Sequence, residues 1–239
     1  MAASPSRGRS AAAPVTYAIL PVKRFGAAKV RLGDELSGGT RRALAEAMVT
    51  DVLMALRRTA AVHEVLVVTS EPAAEAIGRG YGARVLYDNR EEGQSAATLI
   101  GIEHAIEAGA ARVLLVPGDC PALDPAELAD LLDQPADERS ITIVPDRHGI
   151  GTNALLLTPP NVIAPSFGPD SRARHEQAAA AAGVRWSVEQ VPTLLLDVDT
   201  ADDLAALRQA LAARRGGAAH TRGMLSRLAG WGRSPTPGS

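Results

Sequence analysis

The 239-residue chain has little of what marks several protein classes. Aromatic residues make up 3% of it, too few for the stacking platforms on which single-stranded nucleic acids bind. Neither sign of charge is in excess: 25 Lys and Arg stand against 27 Asp and Glu. The net charge of −2 excludes a globally basic polyanion binder and an acidic, self-repelling tail protein. One cysteine, Cys120, cannot close an intrachain disulfide or build a cysteine metal cluster, which fits a reducing, cytoplasmic setting. No stretch approaches the roughly 20 apolar residues of a membrane span, so neither a membrane nor a nucleic-acid partner is expected.

What is present is aliphatic. Hydrophobic residues reach 46%, so the core must be built from Ala, Val, Ile and Leu, as where helices pack on a buried sheet. A chain of this length buries roughly 70–75% of its unfolded surface, enough for one domain. Residues 1–14 are rich in Arg, Ser and Ala and read as a disordered N-terminal tail, and residues 15–213 as the domain. Residues 214–239, rich in Gly, Ser and Pro, read as a flexible C-terminal tail in which Met224 to Trp231 could form one apolar helical turn.

Short apolar runs alternate with helical patterns. Ala18–Val22, Val65–Thr69, Arg84–Tyr87, Val113–Val116, Ile141–Val144, Ala154–Leu157 and Thr193–Leu196 read as strands. A helix between Thr40 and Arg58 presents Leu44, Met48, Val52, Ala55 and Leu56 on one face, and another follows Thr200, which with Asp203 has capping-box spacing. This alternation predicts an α/β fold with a mostly parallel, doubly wound sheet, whose ligands bind beyond the carboxyl ends of the strands.

The chemistry-bearing residues lie at those ends. After the first strand, Pro21 leads into Lys23, Arg24, Lys29 and Arg31, a cationic run suited to a polyphosphate or to a solvated loop. The absence of GxxxxGK[ST] argues against an ATPase-type phosphate loop. Asp119, in Val116-Pro-Gly-Asp-Cys-Pro121, stands where an open α/β site places a Mg2+ ligand, and equally where an acid would cap a turn. Asp197 and Asp199 follow the last strand; Asp197 is the preferred second ligand and Asp199 goes with Thr200 to the helix start. The glycine loop at Gly93 and Ser95 opens a helix and offers backbone N–H groups to a base or phosphate. The Phe167–His175 segment supplies Gly168, a hydroxyl at Ser171 and the cation Arg172 near a helix N-terminus, an anion site or an ordinary capped helix. His148-Gly-Ile-Gly-Thr-Asn-Ala154 formally matches a dinucleotide fingerprint, but a strand rather than a long helix follows it. No histidine has an acid partner, so no general base is assigned.

Taken together, the Leu20-Pro-Val-Lys23 segment with Lys29 and Arg31-Leu32, the Pro117–Pro121 turn, Gly151-Thr-Asn-Ala-Leu155, Phe167-Gly-Pro-Asp-Ser171 with His175, and Asp197-Val-Asp-Thr200 resemble one family over residues 16–213. It is the guanylyltransferase family of deazaflavin coenzyme F-420 biosynthesis, acting on 2-phospho-L-lactate or phosphoenolpyruvate. The resemblance implies a three-layer, GT-A-like nucleotidyltransferase fold and Mg2+-dependent transfer of GMP from GTP with release of pyrophosphate. By motif position it implies metal at Asp119, GTP phosphates at Lys23, Lys29 and Arg31, and the phosphorylated three-carbon acid at Thr152, Gly168 and Ser171. Lys23, Lys29 and Asp119 are thus the catalytic candidates. The expected partners are GTP and that acid, and a homodimer is allowed. Gly93-Gln-Ser-Ala-Ala97 instead resembles the molybdenum-cofactor cytidylyltransferases, which leaves a cytidylyltransferase as the alternative enzyme. An inactive nucleotide-binding regulator on the same fold is the alternative from another class.

Overall fold

The computed structural model describes residues 13–27, 32, 36–135 and 137–231. Its sheet is formed by β1 (Thr16–Val22), β2 (Glu64–Thr69), β3 (Arg84–Tyr87), β4 (Arg112–Leu115), β5 (Ser140–Pro145), β6 (Thr152–Thr158) and β7 (Arg185–Val188), in the order β3-β2-β1-β4-β6-β5-β7. β1 pairs in parallel with β2 and β4, and β2 with β3. Only β6 runs against its neighbours β4 and β5. Its first residue, Thr152, therefore lies at the same edge as the carboxyl ends of the other strands.

The inner strands are buried because their runs are aliphatic on both faces. Ala18, Leu20, Val65, Val67, Leu114 and Leu156 face a core completed by α1 (Gly38–Arg58), α2 (Pro72–Gly80) and α4 (Pro125–Leu132). Ile19, Leu66, Val113, Leu115, Ile143 and Leu155 face the opposite core, under α3 (Gln94–Glu107) and α5 (Ser171–Ala181). Helices on both faces of a mostly parallel sheet make the expected three layers. α6 (Ala201–Ala213) and α7 (Ala219–Trp231) form a further apolar cluster with Leu44 and Met48 of α1. None of the helices among the described residues is long and apolar enough to cross a membrane.

Three sequence expectations are corrected. Thr193–Leu196 is not a strand: Pro192–Leu194 forms a 3-10 turn, and proline at its start removes the donor a ladder needs. The seventh strand is instead Arg185–Val188, whose exposed Arg185 and Trp186 hide the strand pattern at the sheet edge. The supposed flexible tail contains α7. Its backbone N–H groups at His220 and Thr221 donate to the Asp51 carboxylate at 3.1 and 2.7 Å, and Met224 and Leu225 are buried. The acceptor that caps this helix lies on α1, far away in sequence, so no local motif announces it.

Candidate active site

At the carboxyl edge of the sheet a cleft of about 490 Å³ runs from β3 to β4. Lys23 and Arg24 follow β1, Ser70 follows β2, Asp88, Glu91 and Gly93 follow β3, and Asp119 follows β4. Asp199 reaches it from the loop before α6. This is the edge at which α/β sheets bind ligands, on either side of the point where strand order reverses at β1.

Each wall is fixed by identifiable bonds. Thr69 Oγ1 donates to the Val22 carbonyl at 2.8 Å, and the Glu71 N–H donates to Thr69 Oγ1 at 2.9 Å. The buried Glu71 carboxylate accepts from the Phe25 N–H at 3.0 Å and pairs with Arg42 at 3.2 Å, so it anchors the loop carrying Lys23 and Arg24. Asp88 Oδ1 accepts from the N–H groups of Arg90 and Glu91 at 3.2 and 3.0 Å, shaping the loop that ends at Gly93. Gly93 has φ +107°, a conformation in which a side chain would be strained, and α3 begins immediately after it.

Asp119 and Asp199 line the acidic end of the cleft, and Asp197 interacts electrostatically with both. Burial, then the negative charge of Asp119, hold the Asp197 carboxyl above the ordinary carboxylate range. Asn153 Nδ2 donates to Asp197 at 3.1 Å and to the Leu194 carbonyl at 2.7 Å. The Val198 N–H donates to the Asp119 carbonyl at 3.2 Å, which ties the two loops together. The segment carrying Asp197 and Asp199 is irregular rather than part of a strand. Asp203 serves the helix start, as expected: its Oδ2 accepts from the Thr200 N–H at 2.8 Å and completes the capping box. No cluster of three or more His, Cys, Asp or Glu among the described residues is set to hold a metal. Two carboxylates are what Mg2+ takes when substrate phosphates complete its shell, so this all-oxygen set fits that ion.

Beyond β4 the order continues into a buried polar cluster. His175 is fully buried, and burial, with Arg174 nearby, lowers its pKa to about 4, so it is neutral at pH 7. The Ser166 N–H donates to His175 Nε2 at 2.9 Å, which puts the ring proton on Nδ1, 3.1 Å from Thr152 Oγ1. Ser171 Oγ donates to the same Thr152 oxygen at 3.2 Å. Thr152 thus accepts twice and keeps its own O–H for a further acceptor. Gly168 holds φ +111° at the turn into α5.

The remaining candidates are distributed as follows. Pro21, Lys23, Gly93, Asp119 and Asp199 line the cleft. Thr152 and Ser171 bond to each other beside His175, Asp197 bonds to Asn153, and Lys29 and Arg31 lie outside the described residues. Ser95 and Arg172 do not line the cleft. Ser95 Oγ accepts from the Phe167 N–H at 2.9 Å and so braces the loop toward Gly168. Arg172 is tied to Glu176 at 2.9 Å and to the Gly149 carbonyl at 3.2 Å, beside a separate depression of about 240 Å³. Sequence reasoning missed Asn153, Glu71 and the structural use of His175. Asn153 was visible inside the Gly151-Thr-Asn motif; the other two act across long sequence separations that no pattern reveals.

A mostly parallel sheet with a ligand cleft at its carboxyl edge, bounded by cations on one loop and aspartates on others, defines a nucleotidyltransferase of the GT-A-like type. Solved structures agree on the fold. A nucleotidyl transferase from Methanothermobacter superposes with TM-score 0.61 at 21% identity, covering 84% of this chain and 99% of that one. A 4-diphosphocytidyl-2C-methyl-D-erythritol synthase superposes with TM-score 0.58 at 19% identity, covering 83% and 98%. The chain belongs to the family described as guanylyl transferase CofC like, whose model matches residues 16–228. A phosphoenolpyruvate guanylyltransferase from Conexibacter woesei is 56% identical over 89% of this chain and 96% of its own length. Another from Rubrobacter xylanophilus is 41% identical over 80% and 92%. The family match continues past residue 213 into α7, in keeping with that helix being part of the domain.

Proposed function

We propose that this protein is a Mg2+-dependent phosphoenolpyruvate guanylyltransferase of deazaflavin coenzyme F-420 biosynthesis, working in the cytoplasm. The observation that carries the reading is the linear order of groups along the sheet edge. From β3 to β6 come a glycine loop, cations, carboxylates and then hydroxyls, which matches base, triphosphate, metal and acid in that sequence. The naming of both relatives supports phosphoenolpyruvate over 2-phospho-L-lactate as the acid.

In this reading the acid lies against Thr152, Gly168 and Ser171 with its phosphate toward Asp119. Its ionised phosphate oxygen attacks the α-phosphorus of GTP, forming a new P–O bond as the bond to the β-phosphate oxygen breaks. Pyrophosphate leaves with the electron pair. The nucleophile is already an anion at neutral pH, which agrees with a site where the buried histidine is a neutral structural donor rather than a base. Lys23, with Lys29 and Arg31, neutralises the triphosphate and the departing pyrophosphate. Asp119 and Asp197, with Asp199 lining the cleft, would hold Mg2+, which would supply positive charge against the phosphates. The remaining work is positioning, and the fixed loops around Glu71 and Asn153 serve it.

Pyrophosphate release tests the reading. The purified protein should release it only when GTP, phosphoenolpyruvate and Mg2+ are all present. Release with CTP but not GTP would replace it with the cytidylyltransferase reading.

A further inference from the structure

At the β3 end of the cleft, Arg24 and Glu91 form a side-on fork. Arg24 Nε donates to Glu91 Oε2 at 2.9 Å, and Nη2 donates to Oε1 at 2.6 Å. Both side chains line the cleft, and both are about half exposed, at 55% and 43%. Glu91 is held there by its backbone rather than by burial: it has φ +53°, a conformation rare for a residue with a side chain, and Asp88 accepts from its N–H. The neighbouring acid cannot take the same role, since Asp88 Oδ1 is occupied by two backbone N–H groups. Asp119 follows β4, two strands beyond β2, at the other end of the cleft.

A carboxylate set to receive two parallel N–H groups from a planar fork has a specific nucleobase counterpart. The N1–C2–N2 edge of guanine is itself a guanidine fragment with two adjacent donors. Adenine and cytosine put a donor beside an acceptor on that edge, and hypoxanthine lacks the second donor. The Arg24 guanidinium also holds Glu91 below the ordinary carboxylate range, so the acceptor stays ionised at neutral pH. An exposed ion pair of this kind contributes little stability, so exchanging its cation for a base costs little.

We propose that Glu91 is the base-specificity residue: its carboxylate accepts N1–H and N2–H of guanine in the place where it now accepts the Arg24 fork, and Arg24 turns to the triphosphate. This rests on the guanylyltransferase reading and adds the residue that selects its nucleotide. The strand order agrees, because a base at β3 puts the triphosphate across β1 and the α-phosphate near Asp119.

The test compares GTP with ITP, which differ only in the 2-amino group. Binding is measured by calorimetry without the acid, and turnover separately with phosphoenolpyruvate and Mg2+, for the wild type, Glu91→Ala, Glu91→Gln and Arg24→Gln. The wild type should bind GTP about tenfold or more tighter than ITP, the size of one charge-assisted hydrogen bond. Glu91→Ala should bring that ratio to within about twofold and raise KM for GTP without moving KM for phosphoenolpyruvate. Glu91→Gln, which offers one acceptor, should fall between, and Arg24→Gln should keep the wild-type ratio. An unchanged ratio in Glu91→Ala, a wild type with no preference, or a ratio lost in Arg24→Gln but kept in Glu91→Ala would overturn the proposal. A wild type that binds GTP with the preference yet forms no product would leave Glu91 as the reader of guanine and sink the proposed activity instead.

Discussion

Asn153 fixes the position of Asp197: one amide nitrogen donates to its carboxylate at 3.1 Å and to the Leu194 carbonyl at 2.7 Å. The strand that runs against its neighbours thereby sets an acid 44 residues away. Asn153→Ala leaves that carboxylate and a buried carbonyl each short of one donor. It should cost about 1–3 kcal/mol in chemical denaturation. It should also weaken Mg2+ about tenfold or more, as loss of groups that orient metal ligands does.

Removing the charge at Asp197 separates two effects. Its carboxyl is held above the ordinary range by burial and by Asp119, so its ionised form is disfavoured when no cation is bound. Asp197→Asn should therefore match or exceed the wild-type Tm in EDTA. The rise in Tm that Mg2+ with GTP gives the wild type should be lost in this variant. A lower Tm in EDTA would show that the residue is structural.

The buried histidine sets a pH dependence of stability. The folded pKa of His175, about 4, lies below the ordinary value of 6.5. Between these values the unfolded chain binds the extra proton, so stability is fully present above pH 6.5 and is lost as pH falls toward 4. The loss is on the order of 3 kcal/mol. Protonation would also turn Nε2 into a donor facing the Ser166 N–H. His175→Gln should be less stable at pH 7 and show a flatter profile through this window.

The C-terminal helix should be integral to the domain. Asp51→Ala removes the acceptor of two N–H groups at its start and should cost about 1–2 kcal/mol. Truncation after residue 213 also exposes the surface covered by Met224 and Leu225, with a loss on the order of 3 kcal/mol or more. Thermal unfolding of both variants checks this.

The sheet was legible because parallel, two-sided burial writes continuous runs such as Val65–Thr69 and Val113–Val116, and sites at its carboxyl edge follow from topology. Asp119 and Lys23 could be placed for that reason. The edge strand Arg185–Val188 was not legible, because half its side chains face solvent. Thr193–Leu196 looked like a strand because buried aliphatic residues serve a 3-10 turn as well as a ladder. The contacts of Glu71 with Phe25 and of Asp51 with α7 depend on residues far apart in the chain, which only the folded arrangement brings together.

The most direct test of the account identifies the product. Incubating the protein with GTP, phosphoenolpyruvate and Mg2+ and following the reaction by 31P NMR should show two coupled diphosphate resonances joining guanosine to the enolpyruvyl group, with pyrophosphate in equal amount. Asp119→Asn should form none of it. Release of inorganic phosphate without the coupled pair, or equal turnover by Asp119→Asn, would contradict the account.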